Sequence, residues 1–154
     1  MVSGQLHIRP VALGDFPRWN ALWEAYNALY GRVGDTALPV ETTQVTWSRF
    51  FDAAEPVHAL VAEQDGDLVG LAHYLFYRST IQIAPVCYLQ DLYTAGPARC
   101  QGVGRGLVQA VSEQARAAGA GKVYWQAHEG NSACQTLLDK LADREEAILY
   151  RKLV

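Results

Sequence analysis

The sequence has only three cysteines, Cys87, Cys100 and Cys134, an odd number with no CxxC spacing. Neither a disulfide framework nor a thiolate zinc site is expected, and this usage fits a reducing cytoplasm. It also lacks an excess of positive charge, with 13 Lys+Arg against 16 Asp+Glu and a formal net charge of -3. The field that binding to a phosphate backbone requires is therefore missing, and nucleic acid is not expected as a partner. No stretch approaches the roughly 18 uninterrupted apolar residues of a membrane span. Met1 to Arg9 carries no apolar run preceded by positive charge, so neither membrane insertion nor secretion is expected. What remains is 154 residues, 50% hydrophobic and 19% charged. That is the profile of a globular domain large enough to bury its own core, and a single domain over residues 1–154 is expected.

Leu6-His7-Ile8 alternates and runs into Arg9-Pro10, a short strand ended by proline. Asp15 is an N-cap candidate for a helix in which Phe16, Trp19, Leu22, Trp23, Tyr26, Leu29 and Tyr30 recur at three- and four-residue spacing until Gly31. A loop follows to Pro39, then a weaker helix over 41–54. Val57 to Gln64 and Leu68 to Tyr77 read as strands joined by Asp65-Gly66, a hairpin signal. Val86 to Thr94 reads as a further strand, which leads through Gly96-Pro97 into a glycine cluster and a helix with Val103, Leu107, Ala110, Val111, Ala115 and Ala118 on one face. Lys122 to Ala127 is a fifth strand candidate, Asn131 can cap a short helix, and Ala147 to Leu153 can close the sheet. The sum is a mixed α/β domain with a central sheet and helices on its faces.

The stretch Arg99-Cys100-Gln101-Gly102-Val103-Gly104-Arg105-Gly106, between a strand and an amphipathic helix, suits an anionic ligand such as a phosphate or pyrophosphate. Glycines allow close backbone approach, the helix start presents successive N–H groups, and the two arginines add charge. The same glycines also suit a tight turn that only permits strand-to-helix packing, and the motif alone does not separate the two. The phosphate-loop signature ends in Gly-Lys-Ser/Thr, which is absent. The dinucleotide fingerprint needs an early βαβ unit and an acidic residue about 20 positions on, where Val123-Tyr124-Trp125 stand.

Arg99-x-x-Gly102-x-Gly104 after Tyr88-Leu89-Gln90-Asp91-Leu92-Tyr93 resembles the acetyl-CoA signature of the GNAT superfamily of N-acetyltransferases. Trp125-Gln126-Ala127-His128-Glu129-x-Asn131 and the terminal Ile148-Leu149-Tyr150-Arg151 are similar to the branch with polyamine, diamine and protein-amine acetyltransferases. The resemblance implies a mostly antiparallel sheet splayed in its middle. It implies that Cys100, Gln101, Gly102, Val103, Gly104, Arg105 and Gly106, with Arg99, surround the pyrophosphate of acetyl-CoA. The strand edge at Leu92, Tyr93 and Thr94 would pair with the pantetheine arm, Asn131 would hydrogen-bond it, and no metal is implied. The implied partners are acetyl-CoA and a primary-amine acceptor, with a cytoplasmic homodimer as the form of the protein.

Acetyl transfer to an amine needs a neutral nucleophile, polarisation of the thioester carbonyl and a proton for the leaving thiolate. The similar branch commonly has Glu-Asp where this chain has Gln90-Asp91, so the first carboxylate is an amide here. Strict alternation would put Asp91 on the opposite face from position 90. Asp91, His128 and Glu129 are the candidate bases, whereas His7, His58 and His73 read as packing or surface residues. The family's tyrosine seven residues after the asparagine is replaced by Leu138, which leaves Tyr93 or Tyr124 as the candidate acid, or a thiolate that leaves unassisted. Tyr26 and Tyr30, one helical turn apart, and Gln90 are candidates for holding the acceptor, tyrosine faces being suited to a cation. An acyl-CoA-binding domain with little catalysis is the alternative that Gln90 and Leu138 raise.

Overall fold

The computed structural model describes residues 4–99, 102–126 and 138–154. Among the described residues five strands form one sheet in the order β1-β2-β3-β4-β5. The strands β1 (His7–Pro10), β2 (Val57–Gln64), β3 (Asp67–Tyr77) and β4 (Val86–Thr94) are antiparallel neighbours, and β5 (Lys122–Tyr124) runs parallel to β4. Asp65 and Gly66 turn the β2–β3 hairpin with φ of 53° and 82°. Positive φ at both central residues gives the turn a twist matched to the flanking strands.

Among the described residues the helices α1 (Phe16–Leu29), α2 (Val40–Arg49) and α3 (Val103–Ala117) cover the sheet. Period-2 alternation along the strands divides the core in two. Leu60, Ala62, Ala72, Tyr74, Cys87 and Leu89 meet Val103, Leu107, Val108, Val111 and Ala115 of α3. On the other face Val61 and Leu71 meet Trp19, Leu22, Trp23 and Tyr26 of α1, with Trp47 and Phe50 packed beside them. The seating of α3 depends on small residues. A Cβ on Gly70 would lie 2.8 Å from Val103 Cγ1 and 3.0 Å from the Tyr93 carbonyl oxygen, and one on Gly106 would lie 2.8 Å from Ile8 Cδ1.

Asp15 precedes α1 as expected but makes no side-chain cap bond to it. Its buried carboxylate instead receives a two-pronged guanidinium from Arg9 at 2.7 and 3.0 Å, Arg18 at 2.8 Å and the Ala12 N–H at 2.7 Å. These donors, Arg9 foremost, pull its pKa down to about 2. The second helix is shorter than expected, ending at Arg49.

The strand expected over Ala147 to Leu153 is not formed: residues 143–154 carry no regular structure and Ile148, Leu149 and Tyr150 are exposed. A strand exists only by pairing, and local β-propensity cannot supply the partner edge. Of the helix expected after Asn131, residues 138–141 are helical and the rest lies outside the described residues.

Candidate active site

The ladder between β4 and β5 is brief. Val86, Cys87 and Tyr88 pair with Lys122, Val123 and Tyr124, and β5 ends there. Beyond Tyr88, β4 continues to Thr94 with no ladder partner on that side among the described residues. Leu89 to Thr94 therefore present an open strand edge of the kind that accepts an extended guest.

Along this edge the β3–β4 register slips. His73 pairs with Asp91 and Tyr74 with Leu89, which leaves Gln90 as the extra residue of a β-bulge. The bulge reverses the alternation: Leu89 faces α3, while Asp91 and Tyr93 face the α1 side. Gln90 is exposed and Asp91 buried. Strict alternation, assumed from sequence, does not hold at this point.

Asp91 Oδ2 stands 2.9 Å from His73 Nδ1, and the Trp19 indole N–H donates to His73 Nε2 at 3.0 Å. Because an indole nitrogen can only donate, Nε2 must accept, so Nδ1 carries the hydrogen and donates to the carboxylate. The Tyr26 phenol lies in the same cluster, beside the Asp91 carboxylate and against the Tyr30 ring. Burial first, and then the neighbouring Asp91 carboxylate, hold the Tyr26 phenol well above its ordinary range, so it remains protonated. His73, expected to be a packing or surface residue, is buried at the centre of this chain of groups. Trp23 closes the floor, its ring 5.0 Å from that of His73 and 5.5 Å from that of Tyr26.

At the other end of the edge, α3 begins after Gly102, whose φ of 83° lies in the left-handed region open to glycine. The amides of Gly102, Val103, Gly104 and Arg105 precede the first intrahelical bond, which runs from Gly106 N–H to Gly102 O at 3.0 Å. The Gly106 amide is thus already committed, and its lack of a side chain serves packing on Ile8. Arg99 and Arg105 are exposed beside this helix start, Arg99 Nε lying 3.5 Å from the Thr94 carbonyl.

The fold brings Asp91, Tyr93, Tyr26 and Tyr30 together; the Tyr26 ring lies 6.2 Å from Tyr93 and 5.0 Å from Tyr30. Cys100, Gln101, His128, Glu129, Asn131 and Cys134 lie outside the described residues. Leu138 is buried. Tyr124 stacks on Tyr88, and its hydroxyl accepts from Tyr77 at 3.0 Å, toward the paired end of β4 and away from the open edge. The sequence reading missed His73 as the polar partner of Asp91 and Trp19 as the donor to His73. The signal was available in the β3–β4 pairing, where His73 falls opposite Asp91, but reading it required the bulge.

The site is a mixed sheet that opens beside a glycine-led helix start, and comparison with known proteins gives its class, the acyl-transferring enzymes. A family model described as Acetyltransferase (GNAT) family matches residues 19–142, and the chain belongs to that family. It is 31% identical over 154 residues to the D-amino-acid N-acetyltransferase HPA3 of Saccharomyces cerevisiae, covering 99% of this chain and 93% of the relative. Among solved structures it is similar to AAC(6')-Iy in complex with the bisubstrate analog CoA-S-monomethyl-acetylneamine, with a TM-score of 0.81 and 19% identity over 97% of this chain and 99% of the other. It is also similar to a ribosomal-protein-alanine N-acetyltransferase from Brucella melitensis biovar Abortus 2308, with a TM-score of 0.77 and 17% identity over 97% of this chain and 100% of the other. The protein is an acetyltransferase of the acetyl-CoA-using GNAT type. No helix among the described residues is long and apolar enough to cross a membrane.

Proposed function

We propose that the chain, as one domain over residues 1–154, transfers the acetyl group of acetyl-CoA to the primary amine of a small amino-acid acceptor by direct attack in a ternary complex. The observation that carries this reading is the bulge at Gln90, which turns a buried, hydrogen-bonded carboxylate to the α1 face beside an open strand edge. The D-amino-acid specificity in the name of the yeast relative supports the amino-acid acceptor.

The residues present fit acetyl-CoA. The left-handed Gly102 and the amides through Arg105, flanked by Arg99 and Arg105, suit its pyrophosphate, and Leu92 to Thr94 offer unpaired backbone groups to the pantetheine. Bound there, acetyl-CoA supplies the activated acyl group. Asp91 receives a hydrogen bond from His73 and keeps lone pairs for the acceptor's ammonium, which must lose a proton before its nitrogen can attack. Asp91 takes the first ammonium proton and passes it to solvent; the N–C bond then forms as the C–S bond breaks, and the second nitrogen proton restores the phenol that protonates the sulfur. The backbone N–H of Leu92, on the open side of β4, meets the developing oxyanion, since that of Tyr93 faces β3. With leucine at position 138, Tyr93, on the same face as Asp91, is the phenol assigned to protonate the leaving sulfur. Gln90, exposed at the bulge, remains available to the acceptor side.

The cysteine usage supports a cytoplasmic setting, and the exposed Leu29 and Val33 at the end of α1 support a homodimer contact. Calorimetric titration with acetyl-CoA, followed by thiol release against D-amino acids, polyamines and a lysine peptide, tests the reading. Binding followed by turnover of amino acids is expected. Failure to bind acetyl-CoA overturns it, and turnover confined to polyamines or the peptide overturns the acceptor assignment.

A further inference from the structure

We propose that Arg32 is the anchor for the acceptor's carboxylate and selects α-amino acids over amines that lack one. The inference rests on the acetyltransferase reading above and names the group that recognises its acceptor.

The placement of Arg32 follows from how α1 ends. Gly31, with φ of 76°, takes the left-handed position after the helix. Its N–H reaches Ala28 O at 3.1 Å, and the Arg32 N–H reaches Asn27 O at 3.0 Å. This paired closure is the Schellman motif, and it folds Arg32 back over the last turn of the helix. The side chain is then held twice. Its Nε donates to Asn27 Oδ1 at 2.6 Å, and Asn27, itself buried, is fixed by its own amide bond to Trp23 O at 2.9 Å. The guanidinium carbon lies 5.9 Å from the centre of the Tyr26 ring and 5.2 Å from that of Tyr30, a cation over two aromatic faces.

Arg9, Arg18, Arg49 and Arg144 each have a carboxylate within ion-pair distance. Arg32 is half-buried, oriented at Nε, and has no carboxylate within that distance among the described residues. With Nε used, both terminal nitrogens remain as a planar fork matched to a carboxylate. Tyr26 links this fork to the reacting end of the site, since its ring lies beneath the guanidinium and 6.2 Å from that of Tyr93, with the Asp91 carboxylate as its neighbour. An α-amino acid is the small acceptor whose two charges match that layout, with its ammonium at Asp91 and its carboxylate at Arg32. A stack that served only to close α1 would not require the fork to be free.

The test is steady-state acetylation of D-alanine, D-leucine and D-phenylalanine beside their amides, which keep the amine and the chirality but lose the carboxylate. Wild type, Arg32→Gln and Arg32→Lys are compared, with acetyl-CoA titration of each. The wild type should favour the acids. Arg32→Gln should lower the acid-to-amide ratio of kcat/KM by about tenfold to a hundredfold, chiefly through KM for the acid. Arg32→Lys, which keeps the charge but loses the fork, should fall between them. An unchanged ratio in both variants, with acetyl-CoA still bound, overturns the role of Arg32 and leaves the acetyltransferase reading standing. A wild type that binds no acetyl-CoA, or acetylates neither acids nor amides, overturns the reading and the anchor together.

Discussion

His73 and Asp91 face one another across β3 and β4, imidazole Nδ1 to carboxylate Oδ2 at 2.9 Å, with Trp19 bound to the far side of the ring. The tryptophan donor fixes the tautomer, so the carboxylate beside the open edge is held by a directed N–H rather than by packing alone.

Asp91 and His73 therefore act as a unit. Asp91→Asn should lower kcat by about a hundredfold or more. His73→Ala should cost less, and the double variant should be close to Asp91→Asn alone, because His73 acts only through the carboxylate it holds. Thiol-release kinetics on the three proteins checks this, and additive losses would separate the two residues.

Acid stability should depend on Asp15. Its pKa is depressed, to about 2, so the stability it contributes is present above the unfolded value near 4 and is lost as the pH falls from about 4 to about 2. That shift corresponds to about 2 kcal/mol at neutral pH. Urea unfolding of Asp15→Asn at pH 7 and pH 3 should show the deficit at the higher pH shrinking at the lower one. A deficit independent of pH would mean that charge is not its cause.

The two glycines of the α3 start should respond differently. Gly102→Val forces a β-branched residue into the left-handed region, a strain of about 1–2 kcal/mol, and should raise the Kd for acetyl-CoA by distorting the first free amides. Gly106→Ala meets only the Cδ1 end of Ile8, which can rotate aside, and gains helix propensity of about 1 kcal/mol, so its stability should change by less than about 1 kcal/mol and acetyl-CoA binding should be kept. Paired titration and denaturant melts would reveal both effects.

Cys87 is wholly buried between β4 and α3, and burial pushes its thiol up to about 11. With Cys100 and Cys134 replaced by serine, the folded protein should not react with a maleimide at pH 8, and unfolding should expose one thiol. Labelling in the folded state would mean that this part of the core opens.

The hairpin, the aromatic stripe of α1, the amphipathic α3 and the glycine-led start of α3 were all legible in the sequence. Each is written in local spacing, such as Asp65-Gly66 between two strand runs or Val103, Leu107 and Val111 along one helix face. The same local signals misled at Ala147 to Leu153, where strand-like residues find no edge to pair with, and at Asp15, whose carboxylate turns to Arg9 instead of capping its helix.

The sequence by itself determined the layered α/β domain and the glycine-led start of α3, because hydrophobic period and turn residues act over a few positions. Only the tertiary structure decided which side chains share the site. The bulge at Gln90 sets the face on which Asp91 lies, the β3–β4 register delivers His73 to it, and the closure of α1 brings Arg32 back over Tyr26 and Tyr30. Those pairings join residues up to 72 positions apart, as Trp19 and Asp91 do through His73, and no local period records them.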